Sequence, residues 1–592
     1  MSREPGPPPA RGSLVARRAG RARDDAAAPR NSDSPTRSRL SGTPTSVLPA
    51  PRRARPSRRA TALNTAAALL ACLDEHEAAL RMPITDAASA QYFFYHQQHA
   101  IHAGASLLEL IQREARQPHA RQLPQMHSVL VRLGTRAIDA PLSALAAWHQ
   151  SAVSCPLCEG GTDAVDVHVA ADDILERAYT ETYTTIGALW ESATELRMRR
   201  ACAKWLAYLA QRYVAALEGG YVTRGAWWPI EREAWCVAAT HWYGRTAADE
   251  PGHALAYLSL AALHRTSPLD ALYFLSKSVQ TVHPNADARS ALHAWALDVQ
   301  HDAHDPSAPI PNQIVRLLAE YLAGVHAAPL AAEVVAHWDV YDLLETEWAQ
   351  LGVCLTGLFL EVGDMHAALE AHGTRSEARV DGPTSAHTWQ SFWEAPPTPA
   401  APSVSTLDDI EAAYEVRGVP RPLAHLLGLL GVLVQIAMPW LLDTHDAAAY
   451  AHTPAVFVVV ALSFLQVLTL RTQAPIDAMS AVLHATLPWD QLVAYARHAP
   501  LDVWSLAHAS SPDDAYFRGL AWPTWPTAAA AAAPAACETD ILAERRAAAL
   551  CALAQTGALT TPLASARHAR IALLVALLHA QLARYDPNSL HK

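Results

Sequence analysis

Apolar residues return at intervals of three and four along most of the chain, the spacing that places them on one face of a helix. In Ala60–Leu80, Leu63, Ala67, Leu70 and Leu73 share a face, with Asp74, Glu75 and Glu77 mostly outside it. The same period predicts helices over Gln91–Glu114, Gln125–Gln150, Asp173–Leu196 and Arg197–Glu218, and no stretch alternates as a strand does. The clearest signal lies in residues 226–292, where Leu255, Leu258 and Ala262, then Leu272, Leu275, Val279 and Val282, mark two short helices packed as a pair. Pro251 and Pro284 stand 33 residues apart, about the period of a tetratricopeptide unit, whose closing Pro stops its second helix. Periodicity by itself also fits a generic helical hairpin.

Beyond Pro284, helices are expected over Gln313–His326, Leu330–Leu344 and Trp348–Ala371, the last with Leu355, Leu358, Phe359 and Val362 buried. Residues 373–406 break the pattern with prolines, serines and threonines, the composition of a flexible insertion. Leu423–Leu442 and Ala455–Leu470 are the most apolar segments, and the first approaches the roughly 20 residues that span a bilayer. His425, Gln435 and Pro439 interrupt it, however, and the second has only 16 residues. Buried core helices are therefore expected, with a membrane hairpin as the alternative. A Pro/Ala link over 523–536 precedes a closing helix, Ser565–Leu582. The predicted fold class is all-α.

Length and composition agree with a large core, because 592 residues that are 51% hydrophobic suffice for two or three domains. Charge divides the chain. Residues 1–60 hold fourteen arginines against Glu4, Asp24, Asp25 and Asp33, a balance of +10 that leaves −21 for the rest of a chain whose net charge is −11. Residues 1–59 are expected to form a disordered basic tail without the apolar stretch of a secretory signal; such tails bind RNA, direct nuclear import or simply solubilise. The eight cysteines lie far apart, mostly in apolar stretches, which suits reduced thiols in cytoplasm or nucleus.

Residues 242–284 carry a resemblance. Trp242-Tyr243, Tyr257-Leu258-Ser259-Leu260-Ala261, Tyr273-Phe274 and Ser278 to Pro284 fill a pattern of aromatic and small residues that resembles the signature region of the EST/SMG family, proteins of telomerase recruitment and nonsense-mediated mRNA decay. Phe517-Arg518-Gly519-Leu520, after Asp513-Asp514, is similar to a Leu-Arg-Gly-Phe segment late in that family. The resemblance implies a 14-3-3-like phosphoserine-binding bundle with tetratricopeptide helices over 60–300, followed by a helical-hairpin domain over 301–592.

The candidate chemistry lies just before the signature. Arg200, Lys204, Tyr208 and Arg212 are spaced by four, so they share one drifting helix face, with Arg197 a turn ahead. Such a face can offer charge-assisted bonds to the three oxygens of a phosphoserine, or simply pair with nearby acids. The family holds phosphate with a helix reading Gly-Asp-x-x-Arg-Tyr-Arg. Here Arg212-Tyr213 matches only with one residue inserted, the Gly-Asp is replaced, and Val214 stands for the second Arg. A further basic partner on an early helix could be Arg113, Arg116 or Arg136.

No metal or cofactor is assigned. Cys155-Pro156-Leu157-Cys158 offers half a zinc site with no second pair, and His301-Asp302-Ala303-His304-Asp305 is one cluster among 29 histidines. No phosphate loop, nucleophile elbow or dinucleotide fingerprint occurs. One family branch ends in a nuclease domain; after the last helix this chain offers no room for one, so catalysis is not expected. The resemblance implies a nonsense-mediated decay adaptor that docks on a phosphorylated RNA helicase and recruits decay factors, and it offers a paralogous family member as a heterodimer partner. The alternative within the family is a telomerase-associated subunit binding telomerase RNA or telomeric single-stranded DNA; outside it stands a membrane-anchored helical protein.

Overall fold

The computed structural model describes residues 58–153, 162–218, 228–301, 307–323, 342–362, 421–442, 454–471, 487–498, 514–517 and 561–582, together with Trp338, Leu483 and Leu520. The basic tail, the Cys155–Cys158 pair, residues 302–305, residues 330–337 and 339–341 of the helix expected over Leu330–Leu344, the 373–406 insertion, Arg518-Gly519 and the 523–536 link lie outside the described residues. Among the described residues the fold is all-α, the only β-type pairings being two isolated bridges, His253 with His283 and Thr281 with Leu520.

Six helices build the first hydrophobic cluster: α1 (Arg58–Ala79), α2 (Ala87–Glu114), α3 (Met126–Arg132), α4 (Ala140–Val153), α5 (Thr162–Ser192) and α6 (Leu196–Glu218). Asp86 and Ser89 start α2 with a reciprocal cap: the Ser89 amide donates to Asp86 Oδ1 at 2.7 Å, and the Asp86 amide to Ser89 Oγ at 2.9 Å. The stretch expected as one helix over Gln125–Gln150 changes winding in its middle, where Leu133–Asp139 forms a π-helical segment between α3 and α4. On α1, Glu77 is buried, contrary to the sequence pattern, because Arg132 Nε at 3.0 Å and Arg136 Nη1 at 3.2 Å satisfy its carboxylate.

The second cluster begins with α7 (Trp228–Asp249) and the paired helices α8 (Ala254–Leu263) and α9 (Pro268–Gln280), then α10 (Ala286–His301) and α11 (Ile310–Leu322). It continues through α12 (Glu345–Val362), α13 (Arg421–Leu442), α14 (Ala455–Arg471), α15 (Trp489–Arg497), the single turn α16 (Asp514–Phe517) and α17 (Thr561–Leu582). Leu272, Leu275 and Val279 are buried as expected, but Leu255 and Val282 are exposed; Ala254, Tyr257, Leu260 and Ala261 make the inner face of α8 instead. Every residue of α9 from Leu269 to Gln280 is buried, so its polar groups must be satisfied internally. Gln350 of α12 donates to Asp270 at 2.6 Å, Gln280 donates to the Val353 carbonyl at 2.9 Å, and Thr356 donates to Gln280 at 2.9 Å. A Cβ on Gly357 would come within 2.8 Å of Gln280 Nε2, so this close approach of α9 and α12 requires a glycine. Fully buried Lys277 lies 5.0 Å from the Tyr257 ring and 5.7 Å from that of Tyr273, which gives two signature tyrosines a structural task.

The two most apolar helices belong to this core. Ala455 to Leu468 of α14 are all buried, against α12, α13 and α17, while α13 exposes Gln435 and Pro439 along one side. Among the described residues no helix is long and apolar enough to cross a membrane. The late resemblance segment contributes Tyr516, Phe517 and Leu520 to the same cluster.

Candidate functional site

Helix α6 is amphipathic in the strict sense needed for a site. Met198, Cys202, Leu206, Leu209 and Tyr213 are buried in the first cluster, and burial pushes the Cys202 thiol up to about 12, leaving it inert. The other face carries Arg197, Arg200, Lys204 and Tyr208, which together with Leu196, Ala201 and Trp205 form one wall of an open groove of about 1020 Å³. His127, Leu130 and Val131 of α3 and Gly134, Thr135, Ile138 and Asp139 of the π-helical segment form the opposite wall. Glu250, just past the end of α7, completes the lining.

The π-helical winding shapes the groove. The Ala140 amide donates to the Thr135 carbonyl, five residues back, so this wall has an extra residue per turn, a feature often found where a helix serves a function. Gly134 lets it approach α6: a Cβ there would stand 2.7 Å from Trp205 Nε1 and 3.2 Å from Trp205 Cε2. Two large apolar side chains remain open in the groove, Val131 at 48% and Leu196 at 54% exposure.

Three of the four residues singled out from sequence therefore line one concavity, with Arg197 beside them. Arg212 does not line it. Its guanidinium sits 5.8 Å from the Tyr208 ring centre and donates to Ser143 of α4 at 3.2 Å. Of the early basic residues, Arg113 pairs with Glu114 at 3.5 Å and Arg136 with Glu77 at 3.2 Å, and neither they nor Arg116 lines the groove.

Two of the groove's three cations already meet an acid or a carbonyl. Lys204 Nζ lies 2.5 Å from Glu250 Oε2, Arg200 Nη2 donates to the Asp249 carbonyl at 2.9 Å, and the Tyr208 hydroxyl donates to Asp139. Burial and then the bond to Asp139 push the Tyr208 phenol up, so it stays a neutral donor. Arg197 makes no hydrogen bond or ion pair among the described residues and is exposed. The periodicity that located Arg200, Lys204 and Tyr208 could not reveal Asp139, Trp205 and Glu250, whose partners lie far away in sequence. Among the described residues no group of three or more His, Cys, Asp or Glu could hold a metal.

The signature residues stand apart from the groove. Trp242 of α7 donates through Nε1 to the Tyr183 hydroxyl of α5 at 2.6 Å and packs against both clusters, and Tyr243 donates to Gln211 of α6. No family model matches this chain, and no curated protein does. Among solved structures the chain is similar to a chain in the structure of the C. elegans SMG5-SMG7 complex, with 8% identity and a TM-score of 0.36, over 80% of this chain and 98% of that one. An overlay this loose fixes no residue correspondence, so function has to be argued from the residues themselves.

Proposed function

We propose that the chain is a non-catalytic helical adaptor that binds a phosphorylated protein segment in the groove between α6 and the α3–π wall. The observation that carries this reading is the meeting of three cations, Arg197, Arg200 and Lys204, and a phenol donor, Tyr208, with the exposed apolar groups Val131 and Leu196. A phosphoserine offers three acceptor oxygens and close to two charges, which match these donors, and its flanking residues would cover the apolar wall. A nucleic acid suits the groove less well, because three cations flanked by Asp139 and Glu250 give little phosphate neutralisation on a body of net charge −21. The residues that resemble the EST/SMG signature, Trp242-Tyr243 through Pro284, support a finer version: an adaptor of nonsense-mediated decay whose ligand is a phosphorylated RNA helicase, working in cytoplasm and nucleus.

The test uses the full chain and a pool of peptides randomised on both sides of a central phosphoserine, with a matching serine pool and a single-stranded RNA as controls. Arg197→Glu with Lys204→Glu reverses two exposed cations, so the fold should persist and phosphopeptide affinity should drop at least a hundredfold. Unchanged affinity, or binding of the RNA in preference to the phosphopeptides, sinks the assignment.

A further inference from the structure

The shortest cation contact in the groove is made by the protein to itself. Glu250 reaches Lys204 from a different helix end, and of the two the acid is better held: its side chain is 20% exposed against 49% for Lys204. Its backbone is fixed as well, the amide donating to the Thr246 carbonyl at 2.9 Å and its carbonyl accepting from the His253 amide at 3.1 Å. The carboxylate therefore stands at the mouth of the cationic wall as a ligand's anion would.

We infer that Glu250 is a resident carboxylate that fills the anion position of the unliganded groove, so that every ligand must first displace it and only an anion stronger than a carboxylate binds well. This rests on the phosphopeptide reading and narrows it. A ligand aspartate would exchange one carboxylate for another against the same ammonium, with no gain in charge or in number of bonds. A phosphate monoester brings nearly two charges and three oxygens, enough to hold Lys204 while also engaging Arg197, which has no partner among the described residues, and Arg200. Lys204 is half-exposed, and an ion pair open to solvent on one side is weakly held however well the acid's backbone is fixed, so the Glu250 side chain yields to the stronger anion. Arg200 keeps its bond to the Asp249 carbonyl, so the end of α7 stays in place while the Glu250 side chain swings out. Since the second phosphate ionisation lies near pH 6, affinity should fall as the pH drops through that value and the dianion is lost.

The experiment measures binding calorimetrically for the full chain, with the phosphoserine pool and a matching aspartate pool, on the unaltered protein, Glu250→Gln, Glu250→Ala, and the Arg197→Glu, Lys204→Glu double variant. The unaltered protein should prefer phosphoserine over aspartate at least a hundredfold. Both Glu250 variants should bind the phosphoserine pool and the aspartate pool about tenfold tighter each, with the ratio between them little changed, because either anion is spared the same displacement. A merely structural role for Glu250 would leave both affinities unchanged or lower them, and that outcome overturns the inference while the groove assignment stands. If the double variant binds as the unaltered protein does, or the unaltered protein ignores phosphoserine, the groove assignment fails and the inference with it.

Discussion

Gly134→Ala tests whether the groove wall is set by the contact between the π-helical segment and α6. Gly134 lies inside the π-helical segment without a left-handed φ, so helix propensity favours alanine by about 1 kcal/mol, most of it the entropy of the freer unfolded glycine. Against this stands the added Cβ, which would lie 2.7 Å from Trp205 Nε1 and 3.3 Å from Trp205 Cζ2. Overpacking of this kind costs about 1–3 kcal/mol, and the obstacle is a rigid indole rather than the end of a flexible chain. The clash therefore wins, with a net destabilisation of about 1 kcal/mol. The same change in a Trp205→Leu background has no clash to relieve and should stabilise by about 1 kcal/mol, a coupling of about 2 kcal/mol between the two sites. Urea unfolding of the four proteins, followed by circular dichroism, gives the cycle. Equal effects of Gly134→Ala in both backgrounds would refute the claim that Trp205 is what demands the glycine.

Two further outcomes are expected. Removing the buried carboxylate with Glu77→Ala should cost about 2 kcal/mol: breaking a buried pair costs about 3–5, and the partial exposure of Arg132 and the Asp74 contact it keeps at 2.6 Å reduce that figure. Glu77→Gln should fall between, and a shift in the urea midpoint worth less than about 0.5 kcal/mol for Glu77→Ala would show the pair to be idle. Between α1 and α2, His76 Nδ1 and His96 Nδ1 share a hydrogen bond of 2.7 Å, which needs one ring nitrogen to accept and so at least one neutral ring. Burial first and then neighbouring histidines lower both pKa values from 6.5, with Glu75 opposing. The unfolded chain therefore takes up these protons at higher pH than the folded one, and stability present above pH 6.5 should be lost as the pH falls below it. The melting temperature should drop more between pH 7.5 and 5 in the unaltered protein than in His76→Gln; equal drops would exclude the pair as a source.

Much of the fold could be read from the chain because local patterning and packing agree. Leu272, Leu275 and Val279 at helical spacing are buried, and Leu355, Leu358 and Phe359 sit at the centre of α12 as their period implied. The failures have a common cause, a partner distant in sequence. Glu77 looked like a solvent-facing acid until Arg132 and Arg136 closed over it, and Leu255 sits outside because Tyr257 and Leu260 take the inner face. The π winding at 133–139 is invisible to a periodicity reading, which does not register one extra residue in a turn, and the Trp205 that Gly134 packs against lies some 70 residues later. At the candidate site the spacing of four gave Arg200, Lys204 and Tyr208 but extended one turn too far, to Arg212, because α6 drifts past the end of the groove and turns that residue towards Ser143.

These placements separate two kinds of information in the chain. Trp242, Tyr243, Tyr257 and Tyr273, which carry the family resemblance, all act in packing: two stitch α7 to α5 and α6, and two enclose Lys277. None lines the groove, whose character is set by Arg197, Arg200, Lys204, Tyr208 and Glu250. The signature can therefore persist while the ligand changes, because core packing penalises substitution at the aromatic positions whereas an exposed cation can be exchanged at little cost to folding. The departures from the family pattern at 206–214 fall on α6, where Val214 is buried and Arg212 points at α4, so that segment's altered motif need not mean a lost site. The cations that line the groove lie one to three turns earlier on the same helix, and under the proposed reading it is Arg197, Arg200 and Lys204 that would meet the ligand.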